Sequence, residues 1–238
     1  MNDVVVHNGF VIGENMNGKL LTEALVKYFS GVLIIGVLLF VPAGSFRWFN
    51  GLLFMAVLFI PMLVAGIIMY FKSPELLKSR LRAKENQQEQ KDVINYSGLM
   101  FLAAFIIAGL NYRFKWTTMP AGTVSIGVIL FLGAYRLFGE VLRENAYLSR
   151  IIEVQENQKV VDTGLYGIVR HPMYAASVVL FLSMPLILNS LISFVIMLLY
   201  IPLIVKRIRN EEEVLRKELN GYEEYCRKVK YRLIPYIW

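Results

Sequence analysis

The chain has 238 residues, of which 56% are hydrophobic and 18% are charged, and its formal net charge is +7. This composition contains too much apolar surface for one soluble domain. The basic balance does not indicate nucleic-acid binding, because most aromatic residues lie inside apolar stretches rather than on an exposed basic surface. The single cysteine, Cys226, permits no internal disulfide, and no Cys/His spacing predicts a metal site.

Apolar stretches of about 20 residues, the length that crosses a bilayer, recur between residues 25 and 205. They predict an all-α integral membrane protein with about six transmembrane helices. Within residues 1–142 we expect four of these spans, at residues 25–41, 48–71, 93–112 and 124–142. The first residues lack a basic region followed by a short apolar core, so we expect no cleavable signal.

A polar segment near residues 73–92 separates the second and third spans. Leu76, Leu77 and Leu81 recur there at near-helical spacing among basic residues. This pattern predicts an amphipathic helix at the membrane surface. Pro61, inside the second span, predicts a kink because proline removes a backbone donor and crowds the preceding turn.

Residues 143–238 form the second predicted unit. It opens with a polar connection longer than an ordinary link between helices, and such loops often contain functional residues. Two apolar helices separated by Asn189 and Ser190 should form a tight hairpin, followed by a charged continuation and a short helix. We expect the polar connection at residues 143–170 and the two hairpin helices at 172–188 and 191–205. The charged continuation should follow at 206–219 and the short helix at 222–230.

The distribution of Lys and Arg predicts the orientation of the chain in the membrane. Basic residues are frequent in the connections at 72–91 and 143–170 and in the C-terminal region. The turn at 42–47 has one basic residue, and the turn at 112–119 has two. Basic connections tend to remain in the cytoplasm. We therefore expect a multi-pass protein whose two termini and active site face the cytoplasm.

Arg170 and His171 stand where the polar connection enters an apolar helix, and the chain has only two histidines. Ionisable side chains at a membrane boundary are costly unless they have partners, so this pair indicates a functional site. The simpler alternative is that Arg170 marks the cytoplasmic end of the helix and His171 caps it.

A second charged cluster, residues 207–213, directly follows the last apolar segment. Arg207 and Glu211 are four residues apart and share a helix face, although a solvated surface helix would show the same pattern. Because the hairpin is antiparallel, this cluster should lie beside Arg170 and His171. A carboxylate, guanidinium groups and an imidazole could together hold a zwitterionic amino-acid moiety.

Several motifs occur in a fixed order between residues 145 and 235. They are Gln155–Val161, Gly164–Leu165–Tyr166, Arg170–His171–Pro172–Met173–Tyr174, Arg207 with Glu211–Glu212, and Gly221–Tyr225. In order and spacing this region resembles the isoprenylcysteine carboxyl methyltransferase family and its phospholipid methyltransferase relatives. The resemblance implies S-adenosylmethionine bound in a cytoplasm-facing pocket and a lipophilic or prenylated acceptor that enters from the bilayer.

The resemblance also implies site residues. Arg207 would face the acceptor carboxylate as the catalytic residue, and Glu211 would take the ammonium group of the cofactor. Gln158 stands where relatives often have His, and Leu165 replaces the Pro of a Gly-Pro-Tyr turn. The implied cofactor-binding residues are Gln155, Gln158, Lys159, Val160, Val161, Gly164, Tyr166, Arg170, His171, Pro172, Met173, Tyr174, Glu211 and Glu212.

Three alternatives stay open. A carboxylate acceptor needs no general base, whereas a phospholipid amine or a thiol must first lose a proton. Since His171 is the one evident base and the cofactor would occupy it, a carboxylate or a thiol of low pKa is favoured. A sterol-reductase-like enzyme that binds NADPH has a similar Arg-His-Pro-x-Tyr hairpin, and in a non-catalytic membrane protein both clusters would be anchors.

Overall fold

The protein is an all-α bundle in the computed structural model, which describes residues 7–82, 88–145 and 158–238. Within those ranges the chain forms nine α-helices, one 3-10 helix at Gly164–Gly167, and no strand. The predicted fold class is therefore confirmed. The helices are α1 His7–Ala43, α2 Phe49–Lys72, α3 Pro74–Arg82, α4 Gln88–Phe114, α5 Thr123–Glu144, α6 Pro172–Ile187, α7 Leu191–Met197, α8 Tyr200–Glu218 and α9 Tyr222–Lys228.

Five helical stretches are long and apolar enough to cross a bilayer: Gly18–Ala43, Phe49–Lys72, Lys91–Phe114, Thr123–Glu144 and Leu191–Glu218. The chain is therefore a multi-pass membrane protein. Helix α6 has 16 residues, about 24 Å at 1.5 Å per residue. Because this is shorter than a hydrocarbon core of about 30 Å, a sixth full crossing stays a prediction.

Helix boundaries differ from the sequence prediction in two places. Helix α1 begins at His7, well before the apolar span predicted over residues 25–41. The predicted helix over 191–205 is divided, because α7 ends at Met197 and α8 begins at Tyr200. Pro202 has no N–H for the Leu198 carbonyl, which instead accepts a hydrogen bond from the Ile201 N–H at 3.1 Å.

Glycines let the helices that support the hairpin pack closely. A Cβ atom at Gly109 of α4 would lie 2.5 Å from the carbonyl oxygen of Leu39 in α1. A Cβ atom at Gly127 of α5 would lie 2.9 Å from the backbone nitrogen of Ile187 in α6. Helices in membranes approach closely where small residues form the contact. These contacts place α6 against α5 and α4 against α1.

The hairpin of α6 and α7 has its tip bonded to the turn between α4 and α5. Asn189 adopts a left-handed backbone conformation with φ +54 between α6 and α7. Its side-chain oxygen accepts a hydrogen bond from the Met119 N–H at 3.0 Å, in the turn between α4 and α5. The hairpin therefore extends from that turn to the charged residues at the other end of the bundle.

Cysteine labelling in sealed vesicles tests the orientation. In a Cys226→Ser background, we expect single cysteines at Lys78 and Lys230 to react with an impermeant reagent from the cytoplasmic side. A cysteine at Thr118, in the turn between α4 and α5, should react only from the other side. All three positions are at least partly exposed. Labelling of Lys230 and Thr118 from one side would contradict this topology.

Candidate active site

A buried carboxylate, Glu212, joins the start of α6 to the middle of α8. Its Oε1 accepts a hydrogen bond from Arg170 Nε at 2.8 Å and lies 3.2 Å from His171 Nε2. Its Oε2 accepts from Arg232 Nε at 2.9 Å. The exposed fractions of Glu212, Arg170 and His171 are 3%, 6% and 5%. One carboxylate thus joins two guanidinium groups and one imidazole in a nearly dry environment.

The segment after α9 completes this cluster. The backbone N–H groups of Arg170 and His171 donate to the carbonyl oxygens of Tyr231 and Arg232, both at 2.9 Å. The Arg170 Nη1 donates to the carbonyl oxygens of Val229 and Lys230 at 2.7 and 3.0 Å. The start of α6 is therefore held by both backbone and side-chain bonds to residues 229–232.

A second polar group lies directly beside the Glu212 cluster. The Tyr174 hydroxyl donates to Glu211 Oε2 at 2.5 Å and accepts from Arg207 Nε at 2.9 Å. The His171 and Tyr174 rings stack with centroids 5.7 Å apart. Tyr174 is 6% exposed, whereas Arg207 and Glu211 are partly exposed. We call Tyr174, Arg207 and Glu211 the tyrosine triad.

Helical spacing explains both groups. His171 caps α6 with Pro172 at its first turn, and Tyr174 follows three residues later on the same face. On α8, Arg207 and Glu211 are four residues apart and face Tyr174. Adjacent positions on a helix are rotated by roughly 100°, which turns Glu212 away from Tyr174 and into the buried cluster.

The end of the polar connection is held against α5 and α9. Gly164 has φ +56, and a Cβ atom there would lie 2.1 Å from Glu144 Oε1. The Glu144 carboxylate accepts the Leu165 N–H at 2.8 Å. Burial raises the pKa of the Tyr166 phenol to about 12, and the Tyr166 carbonyl accepts the Tyr225 hydroxyl at 2.8 Å. Glycine at 164 is thus required by its backbone conformation and by the nearby carboxylate.

The structure brings together six of the residues that were predicted from the sequence: Arg170, His171, Tyr174, Arg207, Glu211 and Glu212. Pro172 is buried, and Met173 packs against the main core. Val160 packs against a smaller core of Leu219, Tyr222, Tyr225 and Val229. Gln158, Lys159 and Val161 precede the 3-10 helix. Gln155 lies outside the described residues.

Two participants were not predicted from the sequence. Arg232 bonds to Glu212 from the segment after α9, and Glu144 receives the Leu165 N–H. Each forms its bond with a residue about 20 positions away along the chain, so no helical spacing indicates it. In the sequence, Arg232 and Glu144 are visible only as charged residues near the two ends of the motif-bearing region, with no role assigned to them.

Comparison with known proteins supports the predicted resemblance. Residues 125–217 match the isoprenylcysteine carboxyl methyltransferase (ICMT) family. The matched range includes most of α5 and α8, all of α6 and α7, the tyrosine triad, Arg170, His171 and Glu212. The resemblance is therefore confirmed over these residues, and it supports a membrane methyltransferase.

The chain is also similar to two Delta(14)-sterol reductases. It is 33% identical over 90 residues to one from Mus musculus and 28% identical over 140 residues to one from Gallus gallus. These alignments cover 37% and 55% of this chain. The chain spans about a fifth of the length of either relative, 22% in both cases.

The two adjacent glutamates should differ in their contribution to stability. We expect Glu212→Gln to lower the free energy of unfolding by about 3–5 kcal/mol, because it leaves buried cations without a compensating charge. Glu211→Gln should cost about 1 kcal/mol, the scale of one weakened hydrogen bond. Chemical unfolding in detergent, followed by circular dichroism, measures both. A larger loss in Glu211→Gln would contradict this assignment.

Proposed function

We propose that this protein is an S-adenosylmethionine-dependent membrane methyltransferase whose acceptor is the carboxylate of an isoprenylcysteine-like group. The observation that supports this most is the tyrosine triad, which holds Arg207 and Glu211 on either side of one phenol within the family-matched residues. The Glu211 carboxylate can bind the ammonium group of the methyl donor, and the Arg207 guanidinium can bind the carboxylate of the acceptor.

The residues present fit the proposed cofactor. Its amino-acid end bears an ammonium group, and the partly exposed Glu211 carboxylate supplies the complementary charge. Tyr174 orients that carboxylate through its hydroxyl. His171, Pro172 and Met173 would complete this side of the pocket. Gly164 and Tyr166 would also bind the cofactor, and the nucleotide side would be lined by Gln155, Gln158, Lys159, Val160 and Val161.

Arg170 and Glu212 have a different role in this proposal. Their side chains bond to each other, and the Glu212 carboxylate also contacts the His171 imidazole and the Arg232 guanidinium. We assign them to fixing the position of His171 and of the 229–232 segment. Direct contact between either side chain and the cofactor stays a prediction.

The chemistry requires positioning more than proton transfer. When bound, S-adenosylmethionine supplies a methyl group on a sulfonium, which leaves as a neutral thioether. A carboxylate oxygen already has the lone pair that forms the new bond, so no proton needs to be removed. Arg207 would orient the carboxylate through its planar guanidinium group, and burial of Tyr174 would help to exclude water.

The proposed acceptor class rests on the role assigned to His171. An amine or a thiol would need a base, and His171, the one evident base, is assigned to the cofactor in this proposal. The proposal therefore favours a carboxylate acceptor over a phospholipid amine or a thiol. The orientation proposed for the site is towards the cytoplasm, with the acceptor arriving from the bilayer.

A sterol-reductase-like activity is the second candidate, favoured by the two sterol reductases among the relatives. A 2′-phosphate of NADPH would need cations. Arg170 and Arg232 are bonded to Glu212, and Glu211 places a negative charge beside Arg207. These carboxylates disfavour a phosphate at the three arginines.

A non-catalytic protein in which both charged clusters only anchor the chain is the third candidate. Anchoring charges would be exposed at the membrane surface, whereas Arg170, His171 and Glu212 are buried.

A ligand titration separates these candidates. We expect S-adenosylhomocysteine to raise the thermal midpoint of the detergent-purified protein, because a ligand that binds only the folded state stabilises it. Glu211→Gln should weaken this binding by about 1.5–3 kcal/mol through loss of a charge-assisted bond. The matched control Glu213→Gln, at an exposed position of the same helix, should bind normally. A shift with NADPH and none with S-adenosylhomocysteine would reject the methyltransferase.

Arg207→Ala should separate donor binding from acceptor turnover. We expect nearly unchanged affinity for S-adenosylhomocysteine and a fall in turnover of roughly 100-fold or more with a prenylated cysteine analogue, the scale of a lost positioning contact. Arg209→Ala, an exposed neighbour, should retain turnover. If Arg207→Ala instead loses cofactor affinity and keeps its turnover at saturating cofactor, Arg207 belongs to the donor site.

A further inference from the structure

A cavity of about 480 Å³ lies between α1, α2 and α3, and it is separate from the tyrosine triad in its lining residues. Its walls are mainly apolar and include Leu25, Leu63, Ile67 and Leu77. The volume falls within the range of roughly 300–1,000 Å³ that ligand pockets occupy. The cavity is therefore large enough for an apolar chain.

Several lining side chains are exposed at the outer surface of the helices. The exposed fractions of Leu21, Leu25, Leu63 and Ile67 are 40%, 38%, 38% and 48%, and that of Phe71 is 77%. All five lie in the Gly18–Ala43 and Phe49–Lys72 spans. In a membrane these side chains contact lipid, so the cavity opens sideways to the bilayer.

Two cations, Lys27 and Arg80, also line the cavity. The Lys27 ammonium donates to Glu23 Oε1 at 2.9 Å and to the carbonyl of Leu81, which ties α1 to α3. Lys27 lies near the α3 end of the first span, where a long lysine side chain can extend to the membrane surface. Arg80 comes from α3, which has three basic residues and one acidic residue.

We propose that this cavity binds one anionic glycerophospholipid from the leaflet on the α3 side, with its phosphate at Lys27 and Arg80 and one acyl chain between α1 and α2. Basic pockets between transmembrane helices bind anionic lipid headgroups, and phosphate forms strong charge-assisted bonds with guanidinium groups. Lys27 is paired with Glu23, so Lys27, Glu23 and Arg80 together have a formal charge of +1, which favours an anionic headgroup over a zwitterionic one. This site does not depend on the methyltransferase proposal.

Lipid titration of the full chain tests this site without any methyl donor. The delipidated protein in nonionic detergent is mixed with phosphatidylglycerol or with phosphatidylcholine of the same acyl chains. Native mass spectrometry counts bound lipids, and the thermal midpoint reports stabilisation. We expect one retained phosphatidylglycerol and a raised midpoint, with weaker effects of phosphatidylcholine. Equal retention of the two lipids would overturn the proposal.

Variants assign the binding to the two cations. Arg80→Gln and Lys27→Gln should each weaken phosphatidylglycerol binding about tenfold or more, the equivalent of one lost charge-assisted bond. Arg80→Lys should retain most of the affinity and guards against a folding defect in Arg80→Gln. Lys78→Gln removes the same charge from α3 at a residue that pairs with Glu75 at 3.6 Å and should bind normally. An equal loss in Lys78→Gln would indicate diffuse attraction and reject the site.

Discussion

The arrangement of the site depends on one buried carboxylate. Glu212 meets three side chains from two separate parts of the chain, namely Arg170 and His171 before α6 and Arg232 after α9. A charge removed from water in this way is tolerable only when its partners are complete and well placed. Arg170 is also buried, so its charge needs Glu212 as a partner in the same way. Glu212 thus fixes the relative positions of α6, α8 and the 229–232 segment.

The tyrosine triad depends on that arrangement. Tyr174 stacks on His171, and His171 is fixed by Glu212 and by the Arg232 carbonyl. The position of the phenol between Arg207 and Glu211 therefore follows from bonds made one helical turn away. The two adjacent glutamates have different contacts, because α8 directs Glu212 into the buried cluster and Glu211 towards Tyr174. In the proposed function, Glu212 would supply rigidity and Glu211 would bind the ligand.

Much of the fold and part of the site were predictable from the sequence. Apolar length predicted the main helices, and an antiparallel hairpin implied that Arg170 and His171 would meet residues 207–213. The pairing of Arg170 with Glu212 was not predictable, because the helical period does not show which of the adjacent residues Glu211 and Glu212 is buried. The contributions of Arg232 and Glu144 depend on tertiary contacts outside any periodic pattern. The break before Tyr200 could have been predicted from Pro202.

The bonds from Arg170 to residues 229–230 also constrain how the protein is made. The Val229 carbonyl is 59 residues downstream of Arg170, and at about 5–20 residues per second the ribosome needs roughly 3–12 s to produce that stretch. During this interval the hairpin can enter the membrane while Arg170 lacks its backbone acceptors. A nascent chain that stalls before residue 229 would hold an apolar hairpin with an incompletely paired guanidinium, which is costly away from water.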